Sequence, residues 1–183
     1  MLKTAIWGPR GIVKKLTAKI SLASGSFDGL RNIDGSRVGR LVFVCVGNVC
    51  RSPYAEVAAL SQGVSATSCG VDVSRSTPAE LMAVEAASLR GMDLSAHRSR
   101  SIHEVQLDSA DCLVVMAPAH LAAVQAVAAA SSCQVTLLGL WCNPVILEIP
   151  DPYGKPLEEF RKCYDEIDKA LTGLLSVVLA QKT

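Results

Sequence analysis

The sequence predicts an α/β fold built on a parallel sheet, and three observations carry that expectation. Short β-rich apolar runs alternate with longer segments of helical periodicity. Half of the 183 residues are hydrophobic and only 4% are aromatic, the balance of a protein built on Val, Ala and Leu. Residues 41–60 read as an apolar strand, a tight loop and a helix in immediate succession. Strands joined in this way take right-handed crossovers. A chain of this length has room for one domain with a sizeable core.

The elements follow in order. Leu41–Val46 is an unbroken apolar run and the first strand. Pro53–Ser61 is the helix after it, with Pro53 near the first turn, where a missing N–H costs little. Val64–Cys69 is short and bounded by turn residues, as a second strand should be. The second helix is expected at Ala79–Gly91. The third strand is Cys112–Met116. Pro118–Ala130 is an alanine-rich helix and not a low-complexity linker. Gln134–Leu138 supplies the fourth strand, and Leu157–Ala180 closes the chain as a long helix.

The chemistry concentrates in LVFVCVGNVCRSPY at 41–54. Cys45 ends the strand, and Arg51 follows in the spacing C-x5-R. A loop between a strand and a helix N-terminus collects free backbone N–H groups and the positive end of the helix dipole, which makes an anion cradle. A cysteine placed there is favoured as the thiolate. The arginine fork can hold an oxyanion through two hydrogen bonds. Gly47 and Asn48 tolerate the left-handed angles that turn successive N–H groups inward. Ser52 can donate its hydroxyl to the thiolate. The expected chemistry is nucleophilic attack on a bound phosphate. A second signal is IPDPYG at 149–154. Asp151 stands between two prolines in a rigid turn. It is a candidate acid for protonating a departing oxygen, with Tyr153 a wall for an aromatic leaving group.

Together these segments resemble the low-molecular-weight protein tyrosine phosphatases, from about residue 39 to about residue 178. The resemblance rests on VCVGNVCRSPYAE, RGMDLSAHRSRSI at 90–102, DCLVVMAPAH at 111–120 and LLGLWCNPVILEIPDPYGKPLEEFRKCYDEI at 137–167. The stretch around Trp141 looks most like the bacterial subgroup paired with tyrosine autokinases of capsule and exopolysaccharide export. The resemblance implies a three-layer α/β/α fold, its four-stranded parallel sheet in the order 2-1-3-4. It implies that Cys45 is the nucleophile that becomes phosphocysteine, Arg51 the phosphoryl clamp and Asp151 the general acid and later base. Val46, Gly47, Asn48, Val49, Cys50 and Ser52 form the phosphate-binding loop, and Tyr153 lines the substrate cleft. Cys50 matches a second loop cysteine that pairs reversibly with the nucleophile in part of the family. No cofactor is implied. The partner is a phosphotyrosine protein, with a bacterial tyrosine autokinase the specific expectation, and no nucleic acid.

The chain departs from the family in three places. Ala117 follows Met116 where an aspartate is common. Residues 71–77, VDVSRST, contain no aromatic. Gly154 stands where many members have a second tyrosine. These bear on substrate preference and not on the reaction.

Two other functions compete. Thioredoxin-coupled arsenate reductases share this loop, but they need a resolving cysteine near the end of the third strand. Here Ala117 and Pro118 stand there, the next cysteine is Cys133, and Cys112 lies early in the strand. A non-catalytic phosphotyrosine-binding module would have lost the nucleophile or the acid, and both are present.

Seven cysteines form no C-x2-C pair and no disulfide framework, which suits a reducing cytoplasm. Cys69 and Cys112 read as core residues. His97, His103 and His120 read as structural or surface residues, and no His, Cys and Asp cluster has metal spacing. Asp108 and Asp111 read as turn residues before a strand. Residues 1–38 are a basic N-terminal extension, expected to be partly helical, ahead of a phosphatase domain at 39–183. The first forty residues hold eight Lys or Arg against two Asp, leaving the remainder about five negative. Ile12, Val13, Leu16 and Ile20 would share one helical face. That pattern suits packing on the domain itself, with Trp7 and Phe27 as anchors, or contact with anionic lipid or an acidic partner.

Overall fold

The computed structural model of the protein describes residues 27–180. Its strands are β1 (Arg40–Cys45), β2 (Ala66–Gly70), β3 (Asp111–Val115) and β4 (Gln134–Leu137). Its helices are α1 (Asp28–Arg31), α2 (Arg51–Ser61), α3 (Leu81–Ser88), α4 (Leu121–Ser131) and α5 (Leu157–Ala180). The strands form one parallel sheet in the order β2-β1-β3-β4, as expected.

β1 and β3 are central, and Leu41, Val42, Phe43 and Val44 are completely buried, as are Leu113, Val114 and Val115. Such strands have both faces covered, which is why they read as unbroken apolar runs and not as alternations. Leu41, Phe43 and Cys45 face one layer with residues of α2, α3 and α5. Val42 and Val44 face the other, with Val124 and Ala128 of α4. The active loop follows β1 at its carboxyl end, where parallel sheets offer a crevice to ligands.

The helix boundaries differ from expectation for local reasons. α2 begins at Arg51, two residues before Pro53, so the arginine itself belongs to the first turn. α3 is shorter than Ala79–Gly91 because Glu80 caps it, its carboxylate accepting from the Ala83 N–H at 2.9 Å. Pro118–His120 is a 3-10 turn leading into α4. α5 matches its expected bounds, since its apolar positions recur with helical period over six turns' worth of chain.

Asp111 corrects a sequence expectation. It is no turn residue but the first residue of β3, 1% exposed. Arg40 donates to both of its oxygens, at 2.7 and 2.8 Å, and the Asp108 N–H adds a bond of 2.9 Å. Asp108 does lie in the turn, capping the Ala110 N–H at 2.7 Å. Cys69 and Cys112 are core residues, and burial pushes both thiols up to about 12.

Residues 27–38 pack on the domain. Phe27 and Leu30 lie against the second core. The Leu30 carbonyl accepts from Thr136 at 2.6 Å, and Asp34 and Gln134 exchange bonds of 2.7 and 2.9 Å. The expectations for Trp7 and the Ile12, Val13, Leu16 and Ile20 face lie outside the described residues. Among the described residues no helix is long and apolar enough to cross a membrane, and no cluster of His, Cys, Asp or Glu could hold a metal ion.

Candidate active site

The loop between β1 and α2 is built around one buried asparagine. Asn48 has φ of 53°, a left-handed conformation that Asn adopts more readily than most residues. Its amide nitrogen donates to Ser52 Oγ at 2.9 Å and to Ser68 Oγ at 2.8 Å. Its side-chain oxygen accepts from the Arg100 N–H at 3.0 Å. Its carbonyl accepts from His97 Nε2 at 2.7 Å, which makes that nitrogen the protonated one. Ser68 passes its own hydrogen to Glu56 at 2.6 Å. The loop is therefore pinned from behind by β2, α2 and the 97–100 segment.

This bonding fixes the serine hydroxyl. Asn48 donates to Ser52 Oγ, which lies 3.0 Å from Cys45 Sγ; a thiolate can only accept, so toward a Cys45 thiolate the hydroxyl is the donor. The competing acceptor, the Cys69 carbonyl, is farther at 3.3 Å. Cys45 is 3% exposed, at the bottom of a cleft of about 330 Å³.

Arg51 opens α2, its side chain 3% exposed. Its guanidinium donates to the Ile149 carbonyl at 3.1 Å and forms an ion pair with Asp151. Its Nε is buried with no hydrogen-bond partner, a donor that an oxyanion would satisfy. Asp151 is held from two sides: by Arg51 and by the Tyr153 N–H, which donates to its other oxygen at 3.2 Å. The segment is tied to the end of β3 by Ile149 N–H donating to the Met116 carbonyl at 2.9 Å.

The cleft floor is Cys45, Val46, Gly47, Val49, Cys50 and Arg51, and Asp151 and Tyr153 line it too. Asn48 and Ser52 are not on its surface; both are completely buried beneath the loop. The 71–77 stretch, read from sequence as bearing on substrate preference, adds Asp72, Val73, Ser74, Arg75 and Thr77 to the lining, of which sequence reasoning missed only Ser99. Ser99 Oγ accepts from the Thr77 N–H at 2.9 Å and the Ser99 N–H donates to the Thr77 carbonyl at 2.8 Å, so this lining is braced. The supporting Ser68, Arg100 and Glu56 were missed as well, since nothing in their spacing ties them to Asn48. His97 is half-buried and His120 buried, and burial lowers the pKa of both imidazoles. His120 Nδ1 has no partner. Burial, with the Cys45 sulfur nearby, pushes the Cys50 thiol far above its ordinary range.

The site thus offers a sulfur nucleophile, a helix N-terminus, an arginine fork with a free Nε, and a carboxyl group around one cavity, which suits a phosphoryl ester. The chain is similar to known phosphatases. Escherichia coli (strain K12) low molecular weight protein-tyrosine-phosphatase Etp is 32% identical over 132 residues, covering 71% of this chain and 88% of that protein. The probable phosphatase EpsP of Ralstonia nicotianae is 34% identical, covering 72% and 90%. Among solved structures, Vibrio vulnificus Wzb in complex with benzylphosphonate superposes with a TM-score of 0.65 at 29% identity, over 76% of this chain and 98% of that one. The YwlE arginine phosphatase of Geobacillus stearothermophilus superposes with a TM-score of 0.70 at 25% identity, over 78% and 94%. The sequence model for low molecular weight phosphotyrosine protein phosphatases matches residues 40–183, the span that holds both the cysteine loop and the aspartate turn. By its sequence, its sheet order and its loop, the chain belongs to the low molecular weight phosphotyrosine protein phosphatase family.

Proposed function

We propose that the protein hydrolyses phosphotyrosine in proteins through a phosphocysteine intermediate on Cys45. The observation that carries this is the Cys45 Sγ to Ser52 Oγ contact of 3.0 Å in the cleft that Arg51 and Asp151 share. In the first step the Cys45 thiolate forms a bond to phosphorus as the bond to the tyrosine oxygen breaks. Asp151 gives its proton to that oxygen. Arg51 and the loop N–H groups hold the equatorial oxygens throughout, which is where charge spreads in phosphoryl transfer. In the second step the Asp151 carboxylate takes a proton from water, the water oxygen bonds to phosphorus, and the sulfur leaves. Ser52 donates to the sulfur as charge returns to it.

The cleft favours an aryl ester. Val49 and Val73 are apolar, and Tyr153 is 66% exposed and free to lie against a ring. The cysteines support phosphoryl transfer over arsenate reduction. Cys133 Sγ donates to the Asp108 carbonyl at 3.0 Å, beside the amino end of β3, and Cys112 is the second residue of that strand. Both stand at the end of the sheet opposite Cys45. The substrate we favour is a bacterial tyrosine autokinase of polysaccharide export, which the resemblance of the Trp141 region suggests. A reducing cytoplasm suits seven unpaired thiols. The test is turnover of a phosphotyrosine peptide and a phosphoarginine peptide by the purified protein, with no thiol-disulfide partner present. Preference for phosphotyrosine, abolished by Cys45→Ser, is expected. Preference for phosphoarginine would overturn the substrate assignment, and activity surviving in Cys45→Ser would overturn the mechanism.

A further inference from the structure

Tyr164 of α5 reaches the back of the catalytic loop. Its ring stacks face to face on Tyr54 of α2, with centroids 3.7 Å apart and planes within 4°. Both rings are buried, and Phe160 meets the Tyr164 edge at 6.4 Å. Tyr164 Oη lies 3.3 Å from the Cys50 carbonyl and 3.3 Å from the Ala83 carbonyl. The Tyr54 hydroxyl is turned elsewhere, donating to Asp168 at 2.9 and 3.0 Å, where Arg90 also donates at 2.7 Å.

The Cys50 carbonyl and the Arg51 N–H belong to one planar trans peptide and point in opposite directions. As the N-cap of α2 the Cys50 carbonyl takes the first helical bond; the Tyr164 hydroxyl adds a second hold on it, and both keep the Arg51 N–H aimed the other way. Arg51 is the first residue of α2, so its N–H is among those without an intrahelical acceptor. We propose that the Tyr164 hydroxyl is a positioning group for the phosphate cradle: by holding the Cys50 carbonyl it orients the Arg51 N–H as a donor to the bound oxyanion. The stack on Tyr54 fixes the ring. A preset donor costs no reorganisation when the anion arrives, which is how such groups lower a barrier. The inference rests on the phosphatase reading for its ligand, a phosphoryl group.

The experiment compares the full-length protein with Tyr164→Phe and Tyr54→Phe. Each variant keeps its ring and the stack and loses one hydroxyl. Vanadate and inorganic phosphate affinities are measured by calorimetry, kcat/KM with an aryl phosphate, and Tm by calorimetric scan. Tyr164→Phe is expected to weaken vanadate binding about ten-fold and to lower kcat/KM to a similar degree. Tyr54→Phe is expected to bind vanadate within about two-fold of the parent. Equal losses in the two variants would assign the effect to softening of the stack and overturn the proposal, as would unchanged affinity in Tyr164→Phe. Amide shifts of the parent protein on vanadate addition give a readout that needs no variant: the Arg51 N–H should be among the most displaced, and an unmoved Arg51 N–H contradicts the proposal. Absence of aryl phosphate turnover by the parent would count against the phosphatase reading instead, because the affinity ratio requires no turnover.

Discussion

Arg51 and Asp151 form an ion pair although one hundred positions separate them in the chain. The pair joins the first turn of α2 to the proline-flanked turn at 150–152, so the anion clamp and the candidate acid share one edge of the cleft. A bound phosphoryl group carries more negative charge than one carboxylate and competes for the same guanidinium fork. Asp151 then lies beside the phosphoryl group it is proposed to serve, held on its other oxygen by the Tyr153 N–H.

Asp151→Ala should therefore lower kcat for phosphotyrosine by about a hundred-fold, and by much less for aryl esters with activated leaving groups, because an acid matters most when the leaving oxygen is basic. Steady-state kinetics on a series of aryl phosphates of graded leaving-group pKa reads this directly. A loss of equal size across the series would remove Asp151 from the acid role.

Asn48 should be the most sensitive residue of the loop that does not touch the cleft. Asn48→Ala loses three side-chain bonds, leaves the Arg100 N–H without its acceptor, and places alanine at a φ of 53°. The expected cost is about 2–4 kcal/mol of stability. Activity should fall as well, since Ser52 is no longer held against Cys45. Urea unfolding and kcat/KM, measured together, check both parts.

Gly173→Ala should reverse the usual sign of such a change. In an open helix interior the substitution gains about 1 kcal/mol. Here a Cβ would stand 2.3 Å from the Trp141 carbonyl oxygen, which belongs to rigid backbone. The net result should be a loss of about 1–3 kcal/mol, read from urea unfolding followed by far-UV circular dichroism.

The parts of this site that sequence revealed are those carried by neighbouring residues. Cys45, Arg51 and Ser52 lie within one strand-loop-helix unit, and Asp151 is marked by its two prolines. The strand order follows from family likeness, and the α5 bounds from an unbroken helical period. What was hidden depends on pairs far apart in the chain. Asp111 reads as a turn until Arg40, 71 positions away, is found on it. The Arg100 N–H meets Asn48 across 52 positions. Tyr164 meets Cys50 across 114. A helix pattern shows that Tyr164 faces inward, but not that its hydroxyl meets a loop carbonyl.

The buried imidazole of His120 predicts a pH effect on stability. Burial lowers its pKa, and the nearby Arg51 charge adds to that, while Asp151 and Glu148 oppose it. The unfolded chain then binds a proton at pH values where the native state does not. Stability contributed by the neutral ring is full above the unfolded value of about 6.5 and declines as pH falls below it. Chemical denaturation at pH 7 and pH 5 should show the midpoint falling, and His120→Gln should show a smaller fall. An equal fall in the variant would place the effect elsewhere.

The covalent step is tested most directly by rapid acid quench of the Asp151→Ala variant turning over an activated aryl phosphate, with the protein digested and its peptides weighed. The expected result is a phosphate adduct on the peptide that contains Cys45, absent in Cys45→Ser. Turnover without any adduct on that peptide, or an adduct that persists in Cys45→Ser, would contradict a phosphocysteine on Cys45.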